Sequence, residues 1–357
     1  MIEFKNLKIT TMTLVFQMNG KMNNKSIFHL LPITKVLLSK NRVVQKCILP
    51  VSDKPGSVLS IRAKLNGQNL VRGIIENNKK RFFKNSVTLK MSTSIKNVSL
   101  KISPKTIQLC GASSKADGIS AINYIVNHLT HIRNMMDLIQ NNPYEYNICV
   151  KWIEEHLKGD VVDRTWIEQK NINQFKLFIQ RSTKDFNLRQ KPIVIPSLYH
   201  HDMMTYLLSL MDDQIYFSHY MDKIKNIHRL QTVFEDEISI NKVNEVMVNY
   251  NYNLGFRINR DELDRLINGR NGLCSYYDNA LSNSVTIELP YNQPLDYMAK
   301  KIKKKIPHHT FLVYKSGAVT QSGPCSASQG GKCASMMEDA FNIFIGTIHE
   351  IKDQIML

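Results

Sequence analysis

Hydrophobic and polar residues alternate with a period of two at several places in this chain, which marks them as strands. In NSVTLKM (85–91), Val87, Leu89 and Met91 share one strand face while Ser86, Thr88 and Lys90 share the other. Nearly the same word, NSVTIEL, returns at 283–289. Outward from these two strands the same order of elements appears twice. TMTLVFQMN (11–19) and VMVNYNYNL (246–254) read as strands. NNKSIFHLL (23–31) and NRDELDRLI (259–267) read as helices, with Asn23 or Asn259 as N-cap and Ile27/Leu30 or Leu263/Leu266 on one face. NVSLKIS–KTIQLCG (97–111) and HTFLVYKSG–AVTQSG (309–323) read as strand pairs. Helical patterns at 114–132 and 331–351 close the two copies. Chance explains seven similar residues more easily than a repeated order of elements, so duplication is favoured. The expected fold is α+β, with both copies joined edge to edge in one long curved antiparallel sheet backed by helices.

Spacing between the copies is uneven. The first carries an insertion at about 33–80, whose Asn66-Gly67 pair predicts a tight turn between extra strands. The stretch 141–240 has amphipathic runs such as WIEEHLKG and MMTYLLSLMDD and breaks at Pro192 and Pro196, so it reads as mainly helical. Three segments result: 1–140, 141–240 and 241–357.

Charge changes the picture more than composition does. The chain has 357 residues, 43% hydrophobic and 22% charged, enough for an ordinary core. Its net charge is +17, and residues 1–140 hold 22 Lys and Arg against 5 Asp and Glu. The remaining segments nearly balance, with 12 against 14 in 141–240 and 13 against 11 in 241–357. A surplus confined to one segment is the footprint of a polyanion partner such as nucleic acid. Six scattered cysteines make no CxxC pair and no zinc spacing, and fit buried or idle thiols. No apolar run is long enough to span a membrane, and the start lacks a signal-peptide order. A soluble protein of a cytosol-like compartment is expected.

The strands NSVTLKM and KISPKTIQLCGASS with the helix to Ile132, and NSVTIEL, FLVYKSGAVTQSG and the last helix, resemble the core of the TATA-binding protein family. RGIIENNKKRFFKNSVTLKM is most similar to its divergent members from large nucleocytoplasmic DNA viruses. The resemblance covers both copies and leaves the inserts outside. It implies a saddle whose concave sheet lies in the minor groove of double-stranded DNA and bends it. It also implies a monomer with an internal pseudo-dimer, partners such as a TFIIB-like factor or RNA polymerase, and no cofactor. A viral member would act in the host cytoplasm, in a virus factory, and be packaged in the virion.

Residue by residue, Lys90 takes the place of a phosphate-binding arginine of the family, and Cys110 and Ser322 take places of groove-facing threonines. Asn244 matches a base-edge asparagine, with Thr10 or Thr11 near that place in the first copy. Four wedge positions fall at Ile102, at Tyr314, and near Lys84 and Ser282, with Phe82, Phe83, Tyr276 and Tyr277 close by. The groove-contacting set is then Lys84, Ser86, Thr88, Lys90, Leu100, Ile102, Gln108 and Cys110 in the first copy, with Asn244, Tyr314, Thr320 and Ser322 in the second. Lys79, Lys80 and Arg81 flank Phe82 and Phe83, which suits phosphate contact with stacking; anchoring of the insertion is the alternative. Lys300, Lys301, Lys303, Lys304 and Lys305 lie in a loop that contacts phosphate or a factor, or is a solvated charge run. Glu288 stands where the first copy has Lys90, and a carboxylate facing phosphate is unfavourable, so the first copy should lead any binding of DNA.

Catalytic patterns are weak. QGGKCAS (329–335) misses both anchors of a phosphate loop, with Ser326 and Cys333 where glycine and Ser/Thr are needed. His200-His201-Asp202 lacks a third ligand at helical spacing, so no metal site is expected. Pairs such as Glu154-Glu155 and Asp212-Asp213 fit solvated helix faces. The expected function is therefore a DNA-binding factor in transcription initiation, not an enzyme. A sequence-nonspecific DNA-packaging protein and an interaction scaffold that has lost groove binding are the rivals.

Overall fold

A computed structural model of the chain describes residues 2–34, 55–73, 82–156, 198–210, 217–290, 308–324 and 333–357. The alternation at 85–91 becomes β4 (Val87–Ser92), which buries Val87, Leu89 and Met91 and leaves Thr88 and Lys90 partly exposed. Its neighbour β5 (Asn97–Ser103) buries Val98, Leu100 and Ile102, and β6 (Thr106–Ala112) buries Ile107, Leu109 and Ala112. β1 (Ile9–Met18) buries Leu14, Phe16 and Met18 on one face. The extra strands β2 (Val58–Leu65) and β3 (Gln68–Gly73) form the hairpin that the Asn-Gly pair predicts. Asn66 has φ 50° and Gly67 φ 81°, the left-handed pair of a two-residue turn whose twist suits a hairpin.

Strands later in the chain follow the same rule. They are β7 (Ile240–Asn253), a short β8 (Cys274–Tyr276), β9 (Ser284–Pro290), β10 (His308–Tyr314) and β11 (Ala318–Pro324). Together the eleven strands run in the hydrogen-bonded order β3-β2-β4-β5-β6-β1-β7-β11-β10-β9-β8.

Among the described residues seven α-helices complete the α+β class: α1 (Asn24–Leu30), α2 (Lys115–Asn141), α3 (Pro143–His156), α4 (Leu198–Ser209), α5 (Phe217–Lys225), α6 (Arg260–Ile267) and α7 (Cys333–Ile355). Both expected N-caps form. The Ser26 amide donates to Asn23 Oδ1 at 3.1 Å, and the Glu262 amide donates to Asn259 Oδ1 at 3.3 Å. Helix α2 starts with a reciprocal cap: the Asp117 amide donates to Ser114 Oγ and the Ser113 amide to Asp117 Oδ2. None of these helices is long and apolar enough to cross a membrane.

The chain divides into two compact units, one of Phe16–Gln108 with Ile119–Lys242, the other of Met1–Val15, Leu109–Gly118 and Val243–Leu357. In the first unit, α3, α4 and α5 join α1 and the strands β2 to β5. Tyr206 of α4 donates to the Leu30 carbonyl at 3.1 Å, Tyr146 of α3 donates to the Ile224 carbonyl, and Trp152 is buried. In the second unit, Phe311 stacks on Phe344 at 4.3 Å, and Phe4 from the chain's start packs on Tyr250 and Phe341. Gly118 lets α2 cross β1 closely, because a Cβ there would lie 2.2 Å from Leu14 Cδ1.

Candidate nucleic-acid interface

With apolar side chains turned toward helices, each unit leaves a polar sheet face open. In the first unit the register sets its content. Arg62 on β2 pairs with Thr88 on β4, and Thr88 pairs with Lys101 on β5. One step along, Ser60 pairs with Lys90 and Lys90 with Ser99. Lys64 pairs with Asn69 on β3. The sequences of β2 to β6 contain no Asp or Glu. By this register four cations, Arg62, Lys64, Lys90 and Lys101, share one face of three adjacent strands.

An aromatic ring borders this row. Phe83 is 44% exposed, and Lys101 Nζ lies 3.5 Å from the centroid of its ring. Asn24 Nδ2 donates to the Asn85 carbonyl at 2.9 Å, which ties the 82–86 loop to the start of α1. Arg72 belongs elsewhere: it pairs with Ile61, is buried, and its guanidinium donates to the Phe28 carbonyl at the end of α1.

The open face of the second unit differs in charge. Asn251, Thr320, Leu312, Thr286 and Tyr276 form one cross-strand row from β7 to β8. Asn249, Ser322, Thr310, Glu288 and Cys274 form the next. Asn249 Nδ2 donates to Thr11 Oγ1 at 2.8 Å. Glu288 pairs with His308 Nε2 at 2.8 Å. The Tyr276 phenol is pushed up to about 12, by desolvation first and then by a hydrogen bond to Glu288 and its negative charge, although the residue as a whole is half exposed. On the opposite face His309 is held down to about 4, by burial first and then by His308.

Several expected site residues lie on these open faces. Thr88 and Lys90 on β4 and Gln108 on β6 are partly exposed and Cys110 on β6 is exposed; Tyr314 on β10 and Thr320 and Ser322 on β11 are partly exposed. Lys84 and Phe83 are exposed in the loop, with Phe82 partly so.

Others do not. Leu100 and Ile102 are wholly buried, one residue out of phase with the open face, so neither touches a groove and Ile102 is no wedge. The open positions of β5 are Asn97, Ser99, Lys101 and Ser103. Ser86 is also buried, just before β4 begins. Asn244 is partly exposed near the start of β7, before the burial alternation of Val248 to Asn253 sets in, and Asn249 is the asparagine that bonds Thr11. Lys79, Lys80, Arg81, Lys300, Lys301, Lys303, Lys304 and Lys305 lie outside the described residues. Arg62, Lys64 and Lys101 were absent from the expected set, although SIRAKL and NVSLKIS both carry the period-two signal that places them.

No family model matches the chain and no curated protein matches it. Among solved structures it is similar to Methanococcus jannaschii TBP, with 9% identity and a TM-score of 0.36, covering 96% of this chain and 98% of that one.

Proposed function

We propose that the chain is a TATA-binding-protein-like factor that binds duplex DNA in transcription initiation, with the basic face of the first unit leading the contact. The observation that carries this reading is the row of Arg62, Lys64, Lys90 and Lys101 beside exposed Phe83, on strands without a carboxylate. Cations in register along a polar face suit phosphates, and an exposed ring suits stacking or insertion at a base step.

A saddle of two repeats is part of the same proposal. The order β1–α1–β4–β5–β6–α2 and the order β7–α6–β9–β10–β11–α7 support it, as do the paired caps Asn23 and Asn259. The partners that fit are double-stranded DNA and, through it, a TFIIB-like factor or RNA polymerase. A second reading, sequence-nonspecific packaging of DNA, is favoured by the surplus charge of residues 1–140.

A titration of the whole chain against AT-rich and GC-rich duplexes at two salt concentrations tests these readings, with Lys90→Glu and Lys101→Glu alongside. A promoter factor keeps a sequence preference at the higher salt and is weakened by both substitutions. Equal binding that collapses with salt supports packaging. Absence of binding to either duplex sinks the DNA reading and leaves an interaction scaffold.

A further inference from the structure

Among the described residues the strand order ends in two edges, β3 and β8. β8 is three residues long, and an edge that short offers little to pair with. β3 runs for six residues, Gln68–Gly73. It has no proline, its register with β2 is unbroken, and its one charged residue, Arg72, is buried. Proline, a bulge or an exposed charge would blunt such an edge, and β3 carries none of them.

The hairpin decides which backbone groups point outward. Its two-residue turn makes Leu65 and Gln68 a hydrogen-bonded pair, and such pairs alternate along an antiparallel ladder. Leu70 and Arg72 therefore bond β2, whereas Asn69 and Val71 turn their N–H and C=O away from it. No strand lies beyond them among the described residues.

Charge narrows what fits there. Val71 pairs with Arg62 and Asn69 with Lys64, so two partly exposed cations stand one strand in from the edge. Neighbouring strands lie about 4.8 Å apart, which sets an added strand about 10 Å from β2. A long cationic side chain and a glutamate span that gap between them. A second copy of this edge would set the same cations against their like, and a net charge of +17 also opposes self-association. We propose that the outer edge of β3 docks an extended acidic peptide of a partner protein, which adds a strand and places its carboxylates on the side of Arg62 and Lys64. This inference does not rest on the DNA reading.

Three synthetic peptides of about eight residues, an ordinary strand length, serve as probes. One alternates valine and glutamate, one alternates valine and lysine, and one holds the first composition in two blocks. In anisotropy titrations with the full chain, the alternating glutamate peptide should bind about tenfold tighter than either of the others. Hydrogen exchange resolved to single amides should show Asn69 and Val71 slowed by that peptide, with Leu70 and Arg72 already slow. Val71→Pro removes an outward N–H and no bond to β2, so it should abolish the binding. Arg62→Gln together with Lys64→Gln should erase the preference for glutamate over lysine. Equal binding of the blocked and alternating glutamate peptides would reduce the effect to charge attraction and overturn the proposal. So would unchanged exchange at Asn69 and Val71 with peptide bound, a measurement that needs no variant to fold. Slowed exchange at the same amides on raising the protein concentration, with no peptide present, would assign the edge to a second copy instead.

Discussion

Lys101 Nζ lies over the Phe83 ring at 3.5 Å from its centroid, which joins the β5 end of the basic row to an exposed aromatic side chain. A cation over a ring face contributes about 0.5–1 kcal/mol at an exposed site, so the pair orients both groups without locking them. Lys101→Ala should weaken DNA binding about equally for all sequences and lower the log–log salt slope by about 0.9, one phosphate contact. Phe83→Ala should reduce affinity by about 1–3 kcal/mol if the ring stacks on a base, with the salt slope unchanged. Fluorescence anisotropy across a salt series separates the two effects.

Leu100 and Ile102 answer to a different measurement. Both are wholly buried on one face of β5. Truncation of either to alanine should cost about 2–5 kcal/mol of stability, seen as a lower urea midpoint. Thr88→Ala, on the open face of the neighbouring strand, should change stability by less than about 1 kcal/mol. A large stability loss at Thr88 and none at Leu100 would reverse the assignment of faces.

The two asparagine caps give a matched pair. Asn23 and Asn259 each accept from the amide three residues on, at 3.1 Å and 3.3 Å. Replacement of either by alanine should destabilise its unit by about 1 kcal/mol, and Asn259→Asp should largely preserve its cap. Asn23 is further held by a 2.8 Å bond to Gln231 Oε1, so Asn23→Ala should be the more damaging of the two. Thermal melts of the single variants test that ranking.

Much of this fold was legible because strand periodicity and capping are local. NSVTLKM predicts its own buried face, Asn23 and Asn259 predict their helix starts, and Asn66-Gly67 predicts its hairpin. Phase errors arose where alignment to a family motif replaced that local rule. Ile102 alternates with Leu100 and Val98, so its burial followed from NVSLKIS itself. Asn244 lies near the start of a fourteen-residue strand, and only pairing with distant residues reveals which asparagine meets Thr11. Gln321 could not be read locally at all. It is wholly buried in a strand with polar neighbours, because Nε2 donates to the Met337 carbonyl at 2.9 Å and Oε1 accepts from Tyr252. Such satisfaction depends on a helix residue 16 positions on and a strand residue 69 positions back.

His309 supplies a stability test that depends on pH. It is 4% exposed on the buried face of β10, and its pKa falls from 6.5 to about 4 through burial first and the neighbouring charge of His308 second. A base whose folded pKa lies below its unfolded value binds fewer protons when folded. Stability therefore rises with pH across the window from about 4 to 6.5 and is lost as pH falls through it. The full difference between the two limits is about 3 kcal/mol. Gly323 leaves room for the ring, since a Cβ there would lie 2.3 Å from His309 Nδ1. His309→Asn removes the titrating group, so its urea midpoint should fall less steeply between pH 6.5 and 4 than that of the native chain, whatever its absolute stability. His29, also lowered to about 4 by burial and then by Lys223, Arg72 and Lys25, keeps its own share of the acid sensitivity in that variant. Identical pH slopes for His309→Asn and the native chain would show that His309 is protonated in the folded state and that the strand face around it admits water.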